Sequence, residues 1–424
     1  NIGLVGGSVS GADYVGGLVG HRGGSGSISN AYATGNVSGN NSVGGLVGAL
    51  GGGTLSQSYA TGNVNGVTAT SSYIGGLAGY LDGGSNISSL LNVNDVYATG
   101  NVSAGVSGSS AAGGYIGGLA GFSSANISNA YATGNISISG YGMRSYIGGL
   151  VGYSGSTLEN VHATGNINLI TGQYVGGLAG INAFPYGRIT YAYATGNITV
   201  GTVDDFGGAN YVGGLVGQNS NILDKVYATG NLEAPGESML MYAGGLVGRN
   251  GESVKPGTIS NAYATGNVDS GAGDYLGGLV GQNYGPPGNN YIANAYSAGR
   301  VIGSGYNVGG VVGFNGGALQ NVYWNTETAG QSIPGNHATL GVIGLTSAQM
   351  LQIGSFGGLN TYAFFCVTCG AGISATGGTG AVWRIYEGHT MPLLSGFLTP
   401  HTINAQPDFD GSGAALTNIA SVTV

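Results

Sequence analysis

The residues that could support catalysis or metal binding in this chain are few and scattered. Polysaccharide-cleaving enzymes need paired carboxylates and a nearby base, and the closest acidic pair is Asp204-Asp205. That pair falls in an insertion between repeated segments, where a solvated loop is the favoured interpretation. The histidines show no spacing typical of metal ligands; they are His21, His162, His337, His389 and His401. No catalytic, cofactor or metal site is predicted.

Cys366 and Cys369 form a lone Cys-x-x-Cys motif. Two thiolates cannot complete a tetrahedral zinc site, and the βαβ context of a redox motif is missing. In an extended strand their Cα atoms would lie about 10 Å apart, too far for a disulfide. A turn at Val367-Thr368 would allow one, so a local disulfide and two free thiols both stay open. Residues 408–413 are similar to a calcium loop but lack its later bidentate Glu, which favours a polar turn.

Two short phrases recur along the chain and organise it. The first reads Tyr-Val-Gly-Gly-Leu-Val-Gly at residues 14–20, and the second reads Tyr-Ala-Thr-Gly-Asn at residues 32–36. The glycine pair recurs at Gly16, Gly44, Gly75, Gly117, Gly148, Gly176, Gly213, Gly244, Gly277 and Gly309. The second phrase alternates with it, starting at Tyr32, Tyr59, Tyr97, Tyr131, His162, Tyr193, Tyr227, Tyr263, Tyr296 and Tyr323. Such a repeat predicts stacked units that each pack on their neighbours.

The second phrase predicts a strand with two different faces. From Ala31 to Val37, one parity is small and apolar while the other holds Tyr, Thr and Asn. Because a strand alternates faces, we expect the small residues inside and the others in outward ladders. This candidate ladder face comprises Tyr32, Thr34, Asn36, Tyr59, Thr61, Asn63, Tyr97, Thr99, Asn101, Tyr131, Thr133 and Asn135. It could bind sugars, dock against another rod, or only stabilise coil stacking.

Composition excludes several function classes. Glycine accounts for 92 of 424 residues, and only 6% of residues are charged. The net charge is −8 and the eight basic residues are dispersed, so no basic stripe is available for nucleic acid. No uninterrupted apolar run approaches the roughly 18 residues of a membrane span. The periodic glycine, together with Val, Ile, Leu and Tyr, indicates an ordered fold rather than disorder.

The repeat spacing predicts an all-β solenoid of about ten to eleven coils over residues 1–325. Glycine pairs are 28 to 42 residues apart, and the shortest spacing fits a coil of three short strands. The glycine phrase has apolar residues on both parities, so it could be covered on both faces or turn a corner. Residues 1–6 resemble the end of a further glycine phrase, and any export signal is expected upstream.

A change in composition after residue 325 predicts a different structure for the rest of the chain. Residues 326–398 are expected to form a non-repeating module that packs on the last coil. Leu345–Leu351 in that module is the one plausible helix start, with Thr346 as its N-cap. A strand-like tail at 399–424 is expected to begin a further segment.

The glycine phrase and its companion Asn-Ala-Tyr-Ala-Thr-Gly-Asn, at residues 30–36, 129–135 and 261–267, resemble the GLUG motif. That repeat occurs in bacterial surface and secreted proteins, notably filamentous-haemagglutinin-like adhesins. Tyr323-Trp324-Asn325 and Trp383–Gly388 are also similar to those exoproteins. The resemblance implies a right-handed parallel β-helix, export and a cell-surface role, and it implies no ligand. His162 and the segment Ser297–Arg300 depart from the repeat.

Three function classes follow. The favoured one is a non-enzymatic extracellular rod for adhesion or for assembly into filaments or biofilm matrix, with another copy or surface glycans and proteins as partners. The second is a soluble carbohydrate-binding module; ice binding is less favoured because bulky Tyr32 lies beside Thr34. The third and least favoured is a β-helical polysaccharide-degrading enzyme.

Overall fold

The computed structural model describes residues 2–68, 72–84, 91–106, 114–139, 145–170, 172–183, 185–201, 211–234, 240–271, 273–285, 290–337, 339–362, 370–376 and 380–398. The acidic pair at 204–205, both cysteines and the tail at 399–424 lie outside these ranges. The predictions made for them therefore stay predictions.

Four parallel sheets, here named A to D in chain order, run along the array. Sheet A carries the Tyr-Ala-Thr-Gly-Asn phrase and consists of Ile2–Leu4, Ser27–Ser29, Ala31–Ala33, Thr54–Ala60, Asn92–Ala98, Asn126–Ala132, Thr157–Ala163, Arg188–Ala194, Ile222–Ala228, Thr258–Ala264, Tyr291–Ser297, Ala318–Asn325 and Val342–Leu345. Sheet B consists of Ser8–Ser10, Asn36–Gly39, Val64–Thr68, Val102–Val106, Ile136–Ser139, Ile167–Leu169, Ile198–Val200, Leu232–Ala234, Val268–Ser270 and Val301–Ile302.

The glycine phrase supplies the other two sheets. Sheet C consists of Asp13–Gly16, Asn41–Gly44, Tyr73–Gly75, Tyr115–Gly117, Tyr146–Gly148, Tyr174–Gly176, Tyr211–Gly213, Tyr242–Gly244, Tyr275–Gly277 and Asn307–Gly309. Sheet D consists of Val19–Arg22, Val47–Gly51, Ala78–Asp82, Ala120–Ser123, Val151–Ser154, Ala179–Asn182, Val216–Asn219, Val247–Asn250, Val280–Asn283, Val312–Asn315 and Asn336–His337. Equivalent strands of successive coils pair in register, which confirms the all-β solenoid, with about nine turns.

Two details of the predicted architecture are wrong. Each coil has four strands rather than three, because the strands of sheets C and D are only two to five residues long and meet at the glycine pair. Ile2–Leu4 is not the end of a glycine phrase. It pairs with Ala31–Ala33 in sheet A, with Gly3 at the position of Tyr32, so glycine content alone misassigned it.

The glycine pair turns a corner between sheets C and D. Ile74 before the pair and Leu77 after it are both fully buried, although they have opposite parities in a straight strand. A corner brings both side chains to the inside. This resolves the alternative that the glycine phrase left open.

Close packing explains why the corner requires glycine. A Cβ on Gly76 would overlap the carbonyl oxygen of Gly118 in the next coil and come within 3.0 Å of the Ala98 Cβ in sheet A. The corner therefore points inward and touches the opposite sheet. It divides the core into one cluster between sheets A and D and another between sheets B and C.

Sheet A strands bend at one position in each coil. Asn30, Gln57 and Asp95 occupy this position with φ of 52°, 48° and 54°, in the left-handed region that Asn and Asp tolerate better than most residues. Later coils continue the row with Asn129, Asn160, Tyr191, Lys225, Asn261, Asn294 and Asn321. The bend separates the two segments of each strand that pair with the neighbouring coil, such as Thr54–Ser56 and Ser58–Ala60.

The C-terminal end of the array is closed by aromatic and irregular structure. Trp324 takes the place that Ser297 and Ala264 hold in the preceding coils, is 5% exposed, and fills the space against Gly310. Backbone N–H groups of Gly310 and Val311 donate to the carbonyls of Ile333 and Pro334. The last coil thus has hydrogen-bond partners and an apolar plug.

The described residues between 346 and 398 then fold back along the rod, and we call this part the C-terminal cover. It contains the 3-10 helices Gln349–Leu351, Ile353–Asn360 and Ser395–Phe397 and the short strands Ile373–Ser374, Trp383–Arg384 and Leu393–Leu394. The predicted helix start is one short 3-10 turn, and its N-cap is Ala348 rather than the predicted Thr346, because the turn begins only at Gln349. Thr346 Oγ1 nevertheless accepts the Gln349 N–H at 3.2 Å. The apolar side chains of the cover pack outside sheet A rather than in the solenoid core.

Candidate functional site: the aromatic ladders

The predicted tyrosine row exists as a continuous stack on the outer face of sheet A. Ring centroids of Tyr32 and Tyr59 are 5.3 Å apart, those of Tyr59 and Tyr97 4.8 Å, and those of Tyr97 and Tyr131 5.0 Å, with interplanar angles of 12°, 3° and 1°. Ala31 and Ala33 on the opposite face are fully buried. The alternation predicted from the sequence is confirmed.

Stacking determines which part of each ring faces solvent. Both faces of Tyr59 and Tyr97 lie against neighbouring rings, so these side chains present ring edges and hydroxyls outward. A sugar stacks on the face of an aromatic ring, which inner rungs do not offer. This geometry favours contacts with a second aromatic or apolar surface over sugar stacking.

The asparagine row acts on the backbone of the next coil. Asn36 Oδ1 accepts the backbone N–H of Asn63 at 3.0 Å, and Asn63 Oδ1 accepts that of Asn101 at 2.9 Å. The same bond is made by Asn101, Asn135, Asn166, Asn197, Asn231 and Asn267. These side chains stabilise coil stacking, while the neighbouring Thr34, Thr61, Thr99 and Thr133 are at least partly exposed on the ladder face.

The cover occupies the C-terminal half of the ladder. The Phe397 ring lies 5.6 Å from Tyr193 and 5.0 Å from Tyr227, at 86° and 89° to them. Further along, Trp383 contacts Tyr263 and Tyr296. The covered ladder is therefore Tyr193, Tyr227, Tyr263, Tyr296 and Tyr323, and the open ladder is Tyr32, Tyr59, Tyr97 and Tyr131.

The hydrogen bonding and the pKa of the tyrosine hydroxyls distinguish the covered ladder from the open ladder. Tyr296 is 1% exposed and its hydroxyl donates to the Pro392 carbonyl at 2.9 Å. Burial raises the pKa of Tyr227 to about 12 and raises the pKa of Tyr263 and Tyr296 further. The raised pKa values thus reflect the removal of these rings from water by the cover.

A second aromatic row, on sheet C, was missed by the sequence reasoning. It consists of Tyr73, Tyr115, Tyr146, Tyr174, Tyr211, Tyr242 and Tyr275, with centroid separations of 4.6 to 5.2 Å. Each precedes a glycine pair by two residues, a spacing that could have revealed it. Tyr80, Phe122 and Tyr153 form a shorter row beside it on sheet D.

A buried asparagine ladder at the end of sheet D was also missed. Asn182, Asn219, Asn250, Asn283 and Asn315 are linked by Nδ2-to-Oδ1 bonds of 2.8, 2.7, 2.9 and 2.7 Å. All five are nearly or fully buried, so each amide depends on its neighbours for hydrogen bonds. The signal was an Asn three residues after each Gly-Gly-Leu-Ala, Gly-Gly-Leu-Val or Gly-Gly-Val-Val segment from Gly176 onward.

Among the described residues, no three His, Cys, Asp or Glu side chains are grouped as a metal site would require. None of the helices in that part of the chain is long and apolar enough to span a bilayer.

Comparison with known families identifies the repeat. Residues 11–38, 39–65, 112–137, 143–168, 171–199 and 240–269 match the GLUG motif. Each matched segment runs through sheets C, D, A and B in turn, and the coils between the matched segments follow the same order. No curated protein and no solved structure matches the chain. The chain thus carries GLUG motif repeats, which form its parallel β-solenoid.

Proposed function

We propose that this protein is a non-catalytic structural rod of the filamentous-haemagglutinin-like type, exported to the bacterial cell surface or the extracellular matrix. Its role there is adhesion or assembly into filaments or matrix, through many weak contacts along one face. Repeated contacts on a rigid rod add up to high avidity. The GLUG repeats and the continuous solenoid support this proposal.

One observation carries the self-association version of the proposal. The chain's own cover already contacts the Tyr193–Tyr323 half of the ladder with aromatic rings that are edge-on or tilted to the tyrosines. The open ladder presents the same tyrosine edges at the same spacing to solvent. A surface that recognises apolar groups within one molecule is suited to recognise them in a second copy.

The charge of the open ladder is compatible with pairing between identical rods. Among its tyrosine, threonine and asparagine rows and the adjoining bend positions, Asp95 is the one acidic or basic side chain. Like-charge repulsion between two copies is therefore small, and flat low-charge β surfaces associate readily.

Sedimentation velocity and negative-stain electron microscopy across a dilution series test the proposal. We expect rods that pair or form fibres, and Tyr97→Lys should weaken association about tenfold because it places a charge in the joint. Asn65→Lys, which puts the same charge on the outer face of sheet B, is the matched control and should leave association unchanged. Single rods at every concentration, or equal effects of both variants, would contradict self-association.

A further inference from the structure

A groove runs along the outside of the rod where sheets C and D meet. The inward corner at the glycine pair makes the outward side chains of the two sheets converge. Tyr73 and Tyr80 rings are 4.8 Å apart at 65°, and Tyr115 and Phe122 rings are 5.7 Å apart at 86°. Aromatic side chains therefore fill the groove over these coils.

The sheet D side of the groove changes character after Tyr153. Tyr153 stacks on Phe122 at 4.9 Å and 8°, and its partner in the next coil is Ile181. A branched aliphatic side chain is shorter than a tyrosine ring and leaves the outer part of the Tyr153 face uncovered. Unlike the inner rungs of either ladder, Tyr153 therefore has a ring face available to a ligand.

A cleft of about 490 Å³ opens at this point, a size typical of small-molecule sites. Its lining includes Tyr153, Ile181, Gln218, Arg249, Glu252 and Lys255. The segment from Glu252 to Lys255 forms one wall and closes on itself through the Glu252 N–H to Lys255 carbonyl bond of 2.7 Å.

The polar groups of the cleft are held in place by neighbouring side chains. Glu252 Oε1 accepts bonds of 2.6 Å from Gln218 Nε2 and from Ser220 Oγ, and Glu252 pairs with Lys255 at 3.3 Å. The Arg249 guanidinium lies between the rings of Tyr211 and Tyr284, 5.5 and 4.9 Å from their centroids. Such preorganised groups bind a ligand at low entropic cost.

The cleft carries a net positive charge in an acidic chain. Lys255 and Glu252 neutralise each other, whereas Arg249 forms no ion pair within the described ranges of the chain. A guanidinium held between aromatic rings is a strong, directional partner for a carboxylate. The electrostatics therefore favour an anionic ligand.

We propose that this cleft binds a uronic acid unit of an acidic polysaccharide. The apolar face of the pyranose stacks on Tyr153 and takes the place of the missing aromatic rung. The sugar carboxylate pairs with Arg249, and the hydroxyls bond to Glu252, Lys255 and Gln218. The groove on either side gives the polysaccharide a path along the rod. This site is separate from the open ladder, so it goes beyond the proposed assembly function.

The opposite end of the short row provides an internal comparison. Tyr80 stacks on Phe122 at 5.0 Å, and its partner in the preceding coil is the small Ala49. A cleft of about 320 Å³ lies there, lined by His21 and Asp82 but by no Arg or Lys. An open ring face therefore occurs at both ends. Beside Tyr80 the Arg22 guanidinium donates to the Gly24 and Gly52 carbonyls of the cleft wall, whereas Arg249 and Lys255 themselves line the cleft beside Tyr153.

Isothermal titration calorimetry of the full chain tests the proposal with three uronate tetrasaccharides, from polygalacturonate, alginate and hyaluronan, and with neutral cellotetraose. We expect at least one uronate to bind with a dissociation constant below about 1 mM and more tightly than cellotetraose. Tyr153→Ala and Arg249→Gln should each weaken that binding about tenfold or more, as expected for a lost stacking or charge contact.

Matched control variants distinguish a loss of binding at the cleft from general effects on the rod. Tyr59→Leu changes an aromatic ring in the sheet A ladder, outside the groove, and Arg300→Gln removes a charge elsewhere; both should bind as the parent does. Tyr153→Leu, which retains an apolar side chain, replaces the alanine variant if that one does not fold. Absence of uronate binding, equal binding of cellotetraose, or binding insensitive to Tyr153 and Arg249 changes would overturn the proposal. None of these results depends on whether rods associate.

Discussion

Tyr97 lies between Tyr59 and Tyr131, with ring centroids 4.8 and 5.0 Å away. Its surroundings therefore consist largely of the equivalent tyrosines of the neighbouring coils. Stacked rungs stabilise one another and present the same edge to solvent in each coil. A rung acts differently only where the row ends or changes residue. Tyr153, at the end of the sheet D row, and His162, inside the sheet A row, are the two informative cases.

His162 gives the ladder a pH dependence that a tyrosine would not. Its ring stacks between Tyr131 and Tyr193 at 5.1 and 4.7 Å, and burial lowers its pKa below the ordinary value of 6.5. The unfolded chain then binds the proton more tightly than the folded chain. Stability from this site is therefore complete above about pH 6.5 and decreases as the pH falls toward the folded pKa.

The His162→Tyr variant should not show this decrease in folding stability at low pH. We expect the variant to be about 0.5–1 kcal/mol more stable near pH 8, from a better stacking partner, with the difference growing toward pH 5. Urea midpoints of both proteins across this range measure it, because titration of all other groups cancels in the difference. A difference that stays constant with pH would contradict the role given to His162.

At the scale of elements, the corner between sheets C and D sets the shape of the coil. Gly76 touches both the next coil and the opposite sheet, so there is no space for an added methyl group. The inward corner also creates the external groove in which the proposed sugar site lies. Core packing and surface shape thus have the same cause.

Gly76→Ala should destabilise the rod by about 1–3 kcal/mol or more, since overpacking forces the backbone of two coils apart. Gly105→Ala is the matched control, because a Cβ there would meet only Ser139 Oγ, at 3.7 Å. That change should be neutral or slightly stabilising. Urea denaturation followed by circular dichroism distinguishes the two, and equal midpoints would refute the packing argument.

Sequence reasoning succeeded where a residue's face follows from parity and failed where it depends on a distant contact. Alternation of Ala31, Tyr32 and Ala33 predicted inside and outside correctly because a strand has only two faces. Glycine has no side chain to assign, so the corner at Gly75-Gly76 stayed one of two alternatives and the fourth strand was missed. The contact of Trp383 with Tyr263 joins residues 120 positions apart and has no local signature.

At the scale of the whole molecule, the solenoid and its cover differ in what holds them together. Each coil contacts its neighbours, so the array's stability is roughly a sum of local interfaces. The cover instead depends on a few large side chains, among which Trp383 and Phe356 are fully buried. We therefore expect that the cover can detach without unfolding the rod.

Trp383→Ser tests this independence and the length of the associating face. Loss of a buried tryptophan costs about 3–5 kcal/mol, which should release the cover and expose Tyr227, Tyr263 and Tyr296. Hydrogen exchange should then show lost protection over 346–362 and 380–398 and unchanged protection over 92–98 and 126–132. Sedimentation should show stronger association than in the parent, because the open ladder has become longer.

Trp383→Phe, which keeps an aromatic ring in the same place, is the matched control and should retain both the cover and the parent's association. Loss of protection throughout the solenoid in Trp383→Ser would show that the cover is part of the fold rather than a separable layer. If the cover is released but association does not increase, exposed tyrosine edges do not drive contacts between rods. The two measurements together thus separate the cover's effect on folding from its effect on assembly.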